Sequence, residues 1–111
     1  MENLRIVSEL QELQNRMPTT AENYFRVLEV LEKIGGIKYN YCVYLSEPID
    51  CDKELLRLPD ADYEMCCVLL TMLLREDHFS NGSFEERVHS GVVDRIISRM
   101  ITLLCEQARA E

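Results

Sequence analysis

Basic residues are scarce in this sequence of 111 residues. It has 12 lysines and arginines against 20 aspartates and glutamates, which gives a formal net charge of −8. Non-specific binding to nucleic acid and binding to anionic membranes both depend on clustered lysine and arginine. We therefore expect no direct nucleic-acid partner and no membrane partner. The apolar run between Tyr63 and Leu74 is too short, and too closely bounded by charge, to span a bilayer.

Motifs for catalysis and for metal or cofactor binding are also missing. No Cys-x-x-Cys occurs, and the two histidines, His78 and His89, do not form a pair at helical spacing. The serines near them lack the context of a catalytic nucleophile. Gly35-Gly36 follows a predicted helix and precedes a predicted strand, the reverse of the order in a phosphate-binding loop. We therefore predict no catalytic residue, no metal site and no cofactor, and we expect that the protein is not an enzyme.

Disulfide bonds are not expected from the five cysteines. The count is odd, and Cys66 and Cys67 are adjacent on a predicted helix, which is unsuited to a disulfide framework. Met1 leads directly into an amphipathic pattern rather than a signal peptide. We therefore expect a cytoplasmic protein whose thiols are reduced and pack as small core residues.

The segment Tyr63–Leu104 organises the predicted fold. After an N-terminal cap at Asp60 or Asp62, a helix that is apolar on most sides should form the buried centre. Ser83, with Glu86 three residues later, predicts a capping box that starts a short helix. Gly91 ends that helix, and an amphipathic helix follows it.

Two further helices are predicted before this segment. The first covers Glu2–Met17, and Pro18 ends it. The second begins at the capping box formed by Thr19 and Glu22 and ends at Gly35-Gly36. Residues 1–36 therefore read as a helical hairpin, and the first helix offers a minority alternative as the seam of a homodimer.

The helical periodicity of the first 36 residues does not continue into residues 37–58. Ile37–Leu45 alternates apolar and polar residues and predicts a β-strand, whose partner would be about Ser46–Leu58 or another molecule. The alternative for Asp50–Leu58 is a helical turn. Between Glu47 and Glu64 the sequence has seven acids against two bases, which indicates a solvated connection or a surface for a basic partner.

The predicted fold class is α+β and predominantly helical, with about five helices and one strand or a small two-stranded β-element. We expect a single domain over 1–111: a helical hairpin (1–36), a strand and acidic connection (37–58), and a helix-turn-helix-helix core (59–111). The predicted core is Leu10, Leu13, Val27, Leu28, Leu31, Val43, Leu69, Leu70, Leu73, Phe79, Ile96, Ile97, Met100 and Leu104.

The turn Arg75-Glu76-Asp77-His78-Phe79-x-x-Gly82, with Gly91-Val92-Val93 and Ile96-Ile97-x-Arg99-Met100 after it, resembles a bacterial family of unknown function, DUF6508. His78 stands where that family has a second arginine, and Asn81 where it usually has glutamate. The resemblance covers about half of the chain. It implies no reaction and no cofactor, but it implies that the turn is a shared structural or functional feature.

The leading functional hypothesis is a small acidic cytosolic protein-protein interaction module. Pairing through the strand edge or docking of the acidic segment would bind a protein partner, which we expect to be basic. A narrower version is an inhibitor, encoded by a phage or mobile element, of a basic nucleic-acid-binding protein. The candidate interaction residues are Tyr39, Tyr41, Tyr44, Glu47, Asp50, Asp52, Asp60 and Asp62.

The alternative hypothesis is a small-ligand binder or enzyme centred on the turn Arg75–Gly82. It requires Arg75, Glu76, His78, Arg95 and Arg99 to converge in one concave pocket. The competing interpretation of the arginines is structural, because local acids could pair with them and lock the turn. The residues of the turn motif are Arg75, Glu76, His78, Phe79, Gly82 and Arg99.

Overall fold

A computed structural model describes residues 2–17, 23–38 and 51–110 of the chain. Within these ranges there are six α-helices and one short 3-10 helix, Leu58–Asp60. The α-helices are α1 (Glu2–Arg16), α2 (Asn23–Lys33), α3 (Cys51–Leu55), α4 (Tyr63–Phe79), α5 (Ser83–Ser90) and α6 (Val92–Ala110).

Helix α4 is the buried centre of the fold, as its sequence predicts. All nine residues from Cys66 to Leu74 are buried, so every side of the helix contacts a neighbouring element. Asp62 is its N-cap, and the Asp62 side chain accepts a hydrogen bond of 2.7 Å from the backbone N–H of Met65. No helix in the described part of the chain is both long enough and apolar enough to cross a membrane.

Helix α6 covers one side of α4 and also packs against α1 and α5. Its predicted apolar stripe is buried, with Ile96, Ile97 and Met100 fully inaccessible to solvent. Helices α1 and α6 run antiparallel, because Asn3 bonds to Gln107 at one end and Gln14 bonds to Asp94 and Ser98 at the other. The first and last helices are therefore neighbours, and α1 does more than pair with α2 in a hairpin.

The chain leaves α2 through a close contact with α4. Gly36 donates its N–H to the carbonyl of Leu31 at 2.8 Å, and a Cβ added at Gly36 would lie 2.7 Å from Leu31 Cδ1 and 3.1 Å from Cys67 Sγ. Two residues later, the N–H of Lys38 donates to Thr71 Oγ1 at 3.2 Å. A Cβ at position 36 would therefore require the side chain of Leu31 to shift.

The predicted α+β class was wrong, because the residues that the structure describes contain helices and no strand. Ile37 and Lys38 would begin the predicted strand, but they are irregular, and the N–H of Lys38 bonds to a side chain instead of a β-ladder. The rest of that strand, Tyr39–Leu45, lies outside the described residues. Over residues 51–58, the helical alternative is correct, since α3 and the start of the 3-10 helix occupy them.

The predicted core is right for α1, α4 and α6 but wrong at Phe79. Phe79 is 89% exposed, because α4 continues past Leu74 and its last residue extends beyond the core. Phe84 in α5 is fully buried instead, and its ring meets that of Tyr24 edge to face at a centroid distance of 5.8 Å. Leu28 is only partly buried, and Val43 lies outside the described residues.

Truncation of the two phenylalanines on either side of the turn should have very unequal effects on the free energy of unfolding. We expect Phe84→Ala to lower the free energy of unfolding by about 3–5 kcal/mol, because it leaves a cavity in the core. Phe79→Ala removes the same atoms from an exposed site and should change it by less than about 0.5 kcal/mol. Urea denaturation followed by circular dichroism measures both values. Equal losses in the two variants would contradict the assignment of Phe84 to the core.

Candidate functional site

The turn between α4 and α5 is held from inside by Asp77. Its carboxylate oxygen Oδ1 accepts hydrogen bonds from the backbone N–H groups of Gly82 and Phe84, both at 3.1 Å. Gly82 has a φ of +90°, a backbone conformation that residues with a Cβ rarely adopt. One carboxylate and one glycine therefore stabilise the turn.

The capping box predicted from Ser83 and Glu86 is wrong. Gly82 is the N-cap residue of α5 and Ser83 is the first residue of that helix. The buried hydroxyl of Ser83 has no hydrogen-bond partner among the described residues, and Glu86 is exposed. The capping side chain is instead Asp77, which belongs to the preceding helix α4 and accepts hydrogen bonds from backbone N–H groups at the start of α5. The signal in the sequence was an acid five residues before a glycine, a spacing that a search limited to local capping motifs overlooks.

Substitution of Asp77 should therefore matter more than substitution of Glu86. We expect Asp77→Ala to lower the free energy of unfolding by about 1–3 kcal/mol, because two backbone N–H groups lose a charged acceptor. Glu86→Ala is the matched control and should cost less than about 0.5 kcal/mol. Urea titration measures both. A larger loss of stability for Glu86→Ala than for Asp77→Ala would support the capping box of Ser83 and Glu86 and contradict this role of Asp77.

Arg87 also stabilises this region, through hydrogen bonds to acids of two other helices. Its guanidinium donates to both carboxylate oxygens of Glu76, from Nε to Oε1 at 3.1 Å and from Nη2 to Oε2 at 2.8 Å. Its Nη1 also donates to Asp52 of α3. The hydrogen bond to Glu76 is the main cause of a raised pKa for Arg87, so the guanidinium remains charged. Local acids were expected to pair with the arginines, and Arg87 does so, which joins α3, α4 and α5.

We give the name aromatic patch to four rings at the start of α2 and the end of α4: Tyr24, Phe25, His78 and Phe79. The hydroxyl of Tyr24 lies 3.1 Å from Nε2 of His78, and the rings of Tyr24 and Phe25 meet edge to face at 5.2 Å. Phe25 is 68% exposed and Phe79 is 89% exposed. The patch therefore presents two large apolar side chains to solvent beside a hydrogen-bonded Tyr–His pair.

A groove of about 280 Å³ between α2 and α4 adjoins the aromatic patch. Tyr24 and His78 belong to both features, and the groove floor is mainly apolar. Its other lining residues are Leu28, Glu32, Ile37, Thr71, Leu74 and Arg75. The groove and the aromatic patch are therefore neighbouring parts of one surface, joined at Tyr24 and His78.

A second cavity, which we call the arginine groove, lies elsewhere on the molecule. It has a volume of about 650 Å³ and is bordered by α3, the 3-10 helix, α5 and α6. Three arginines, Arg87, Arg95 and Arg99, line it together with apolar side chains. The remaining lining residues are Asp52, Leu55, Leu56, Leu58, Pro59, Ser90, Val92, Ser98 and Thr102.

The residue set proposed for a ligand site does not converge in one pocket. Arg75 and His78 line the groove between α2 and α4, whereas Arg95 and Arg99 line the arginine groove. Glu76 is occupied by Arg87. Arg87 bonds to Glu76 and also lines the arginine groove, so it connects the end of α4 with that groove.

The acids of the predicted interaction segment have mostly structural contacts where the structure describes them. Asp62 caps α4 and Asp52 pairs with Arg87, while Asp60 is exposed in the 3-10 helix. Glu54, also in this segment, is buried and pairs with Arg57 at 3.0 Å. The other candidate residues, Tyr39, Tyr41, Tyr44, Glu47 and Asp50, lie outside the described residues.

The described cysteines are free thiols, as expected, and Cys51, Cys66 and Cys67 are buried. Burial raises the pKa of Cys51 and Cys67 to about 11 and that of Cys66 to about 12. These three thiols are therefore protonated at neutral pH, whereas a nucleophilic cysteine or a metal ligand is a thiolate. Within the described ranges, no group of three histidine, cysteine or acidic side chains is placed to hold a metal ion.

A family model described as "Family of unknown function (DUF6508)" matches residues 7–106. It covers nearly the whole chain, whereas the motif resemblance covers about half. No curated protein and no solved structure matches the chain.

Proposed function

The chain belongs to the DUF6508 family of unknown function, and we propose that it is a non-enzymatic protein-protein interaction module that docks a partner through the aromatic patch. The supporting observation is the position of Phe79. It is the last residue of α4 and belongs to the motif that carries the family resemblance, yet 89% of it is exposed and it lies outside the core cluster. Exposed apolar side chains that form a patch with a polar rim often mark a protein interface.

The energy available from this surface is substantial. Burial of an exposed phenylalanine is worth about 1.5–3 kcal/mol, and the patch offers two of them, Phe25 and Phe79. The hydroxyl of Tyr24 and the ring of His78 add polar groups at the edge of the apolar surface, the mixture found at interface hot spots. The patch is therefore suited to a partner that inserts apolar side chains between the two phenylalanines and the adjoining groove.

The patch is also preorganised. Tyr24 packs on the buried ring of Phe84, and Asp77 fixes the turn that follows Phe79. Because the scaffold is fixed before binding, association loses less conformational entropy than docking of a loose segment would. This rigidity supports the patch as the docking surface.

The overall charge supports the expectation of a basic partner. A formal charge of −8 attracts a cationic protein over the range of the ionic atmosphere and speeds the encounter, whereas the apolar patch supplies most of the affinity. We therefore propose a partner with an apolar segment on a basic surface. Inhibition of a basic nucleic-acid-binding protein, and an origin in a phage or mobile element, remain predictions within this proposal.

Site-specific photo-crosslinking tests the proposal. We expect a benzophenone amino acid at position 79 to yield one discrete crosslinked partner in cells of the host. The same probe at position 4 is the matched control, because Leu4 is also an exposed apolar residue, at 58%, but lies on α1. The single variant Phe25→Ser should weaken the crosslink from position 79 at least about fivefold, since it removes the other exposed phenylalanine of the patch.

The identity and origin of the crosslinks decide the outcome. A crosslink that is equal from positions 4 and 79, or unchanged by Phe25→Ser, would contradict docking through the patch. A product with twice the 13.0 kDa mass of the chain would identify a second copy as the occupant, and light scattering of the purified protein would then show a dimer. That result would replace the hetero-partner with homodimerisation.

A further inference from the structure

We propose that the arginine groove is a binding site for a small amphipathic anion, an aromatic or aliphatic group that carries a phosphate or a carboxylate. The proposal is independent of the aromatic patch, because the two surfaces share no residue. It rests on three observations: two arginines that pair with no carboxylate among the described residues, a third arginine bridged to an exposed acid, and apolar side chains that line the same groove.

Arg95 and Arg99 supply the positive charge. They stand four residues apart on α6 and therefore lie on the same face of that helix. Within residues 2–17, 23–38 and 51–110, no carboxylate forms an ion pair with either of them. Guanidinium groups bind phosphate and carboxylate through paired hydrogen bonds.

Arg99 is oriented before any ligand binds. Its Nε donates to the backbone carbonyl of Ala61 at 3.0 Å, and the side chain is half-buried. The two Nη atoms are not needed for that contact. Because the guanidinium is planar, fixing Nε also restricts the positions of the Nη donors, which reduces the entropy lost when an anion binds.

Asp52 shows that this side of the groove already accommodates a carboxylate. Arg87 keeps Glu76 through a bidentate contact, and its remaining donor, Nη1, binds Asp52 of α3. The Asp52 side chain is 82% exposed, and ion pairs with so exposed a partner contribute little stability. A dissolved anion can therefore take the place of Asp52 on Arg87, and Asp52 acts as a built-in competitor for the site.

The apolar side chains that line the groove indicate that the ligand also carries an apolar group. Leu55, Leu58, Pro59 and Val92 line the groove opposite or beside the arginines. A volume of about 650 Å³ accommodates an aromatic ring together with its charged group. An inorganic anion would use the arginines alone, whereas an amphipathic anion would also displace water from these side chains. The geometry therefore favours phenyl phosphate or benzoate over phosphate itself.

Titration with three probes tests the site and identifies the anionic group. Phenyl phosphate, benzoate and inorganic phosphate are added to the isotope-labelled full chain, and the arginine Nε–H signals are followed by NMR. We expect saturable shifts of Arg95 and Arg99, unchanged signals for Arg75, and about tenfold tighter binding of the better aromatic probe than of inorganic phosphate. The ranking of phenyl phosphate against benzoate shows whether the site selects phosphate or carboxylate.

Variants with opposite expected effects separate a built site from general charge attraction. The double variant Arg95→Gln/Arg99→Gln should weaken binding at least about tenfold, whereas Arg75→Gln should leave it unchanged. Asp52→Asn should tighten binding about threefold or more, because it removes the competitor from Arg87. Glu86→Gln changes the net charge by the same amount outside the groove and should give no such gain. Circular dichroism confirms that each variant is folded.

Three results would overturn the proposal. The first is shifts that do not saturate for either aromatic probe. The second is equal affinity for the aromatic probes and inorganic phosphate, because the apolar side chains of the groove would then contribute nothing. The third is an identical gain from Asp52→Asn and Glu86→Gln, since net charge would then explain the binding. None of these results bears on the aromatic patch, so the failure of one proposal leaves the other intact.

Discussion

Burial of α4 on every side is the constraint on which the rest of the structure depends. A helix in which all nine consecutive residues from Cys66 to Leu74 are buried has no solvent-facing side and requires neighbours all round. Helices α2, α3, α5 and α6 each pack against it, and α1 closes the assembly by lying along α6. The short connection between α4 and α5 follows from this arrangement, because α5 must return at once to cover the helix it has just left.

That return concentrates polar interactions at one end of the molecule. Asp77 holds the backbone of the turn and Glu76 holds Arg87, so two successive acids serve structure rather than chemistry. Phe84 turns inward to complete the core, and Phe79 is left outside. The same turn therefore explains both the rigidity of this end of the fold and the presence of an exposed aromatic surface on it. We infer that binding of a partner through this surface is the reason that Phe79 remains exposed to water.

Most of the helical architecture could be predicted from the sequence, because it depends on local signals. The apolar stripe of α6, the cap at Asp62 and the stop at Gly91 each act within a few residues. The β-element failed because alternation over Ile37–Leu45 reports only a preference, while pairing requires a partner strand, and the described part of the chain supplies none.

The site was harder to predict than the fold, because it depends on contacts between distant residues. The bridge from Arg87 to Asp52 joins residues 35 apart, and Tyr24 meets His78 across 54 residues. No spacing rule predicts either contact. Phe79 illustrates a different difficulty: hydrophobicity indicates that a phenylalanine can be buried, but the length of α4 decides whether it is, and a helix end is uncertain from sequence by several residues.

The most direct test of the account is fluorine NMR of the chain labelled with 4-fluorophenylalanine. The three phenylalanines give three signals, two from the aromatic patch and one from the core. When the crosslinked partner is added, the signals of Phe25 and Phe79 should shift or broaden while that of Phe84 stays unchanged as an internal reference. If the partner binds and leaves Phe25 and Phe79 unaffected, the aromatic patch is not the docking surface.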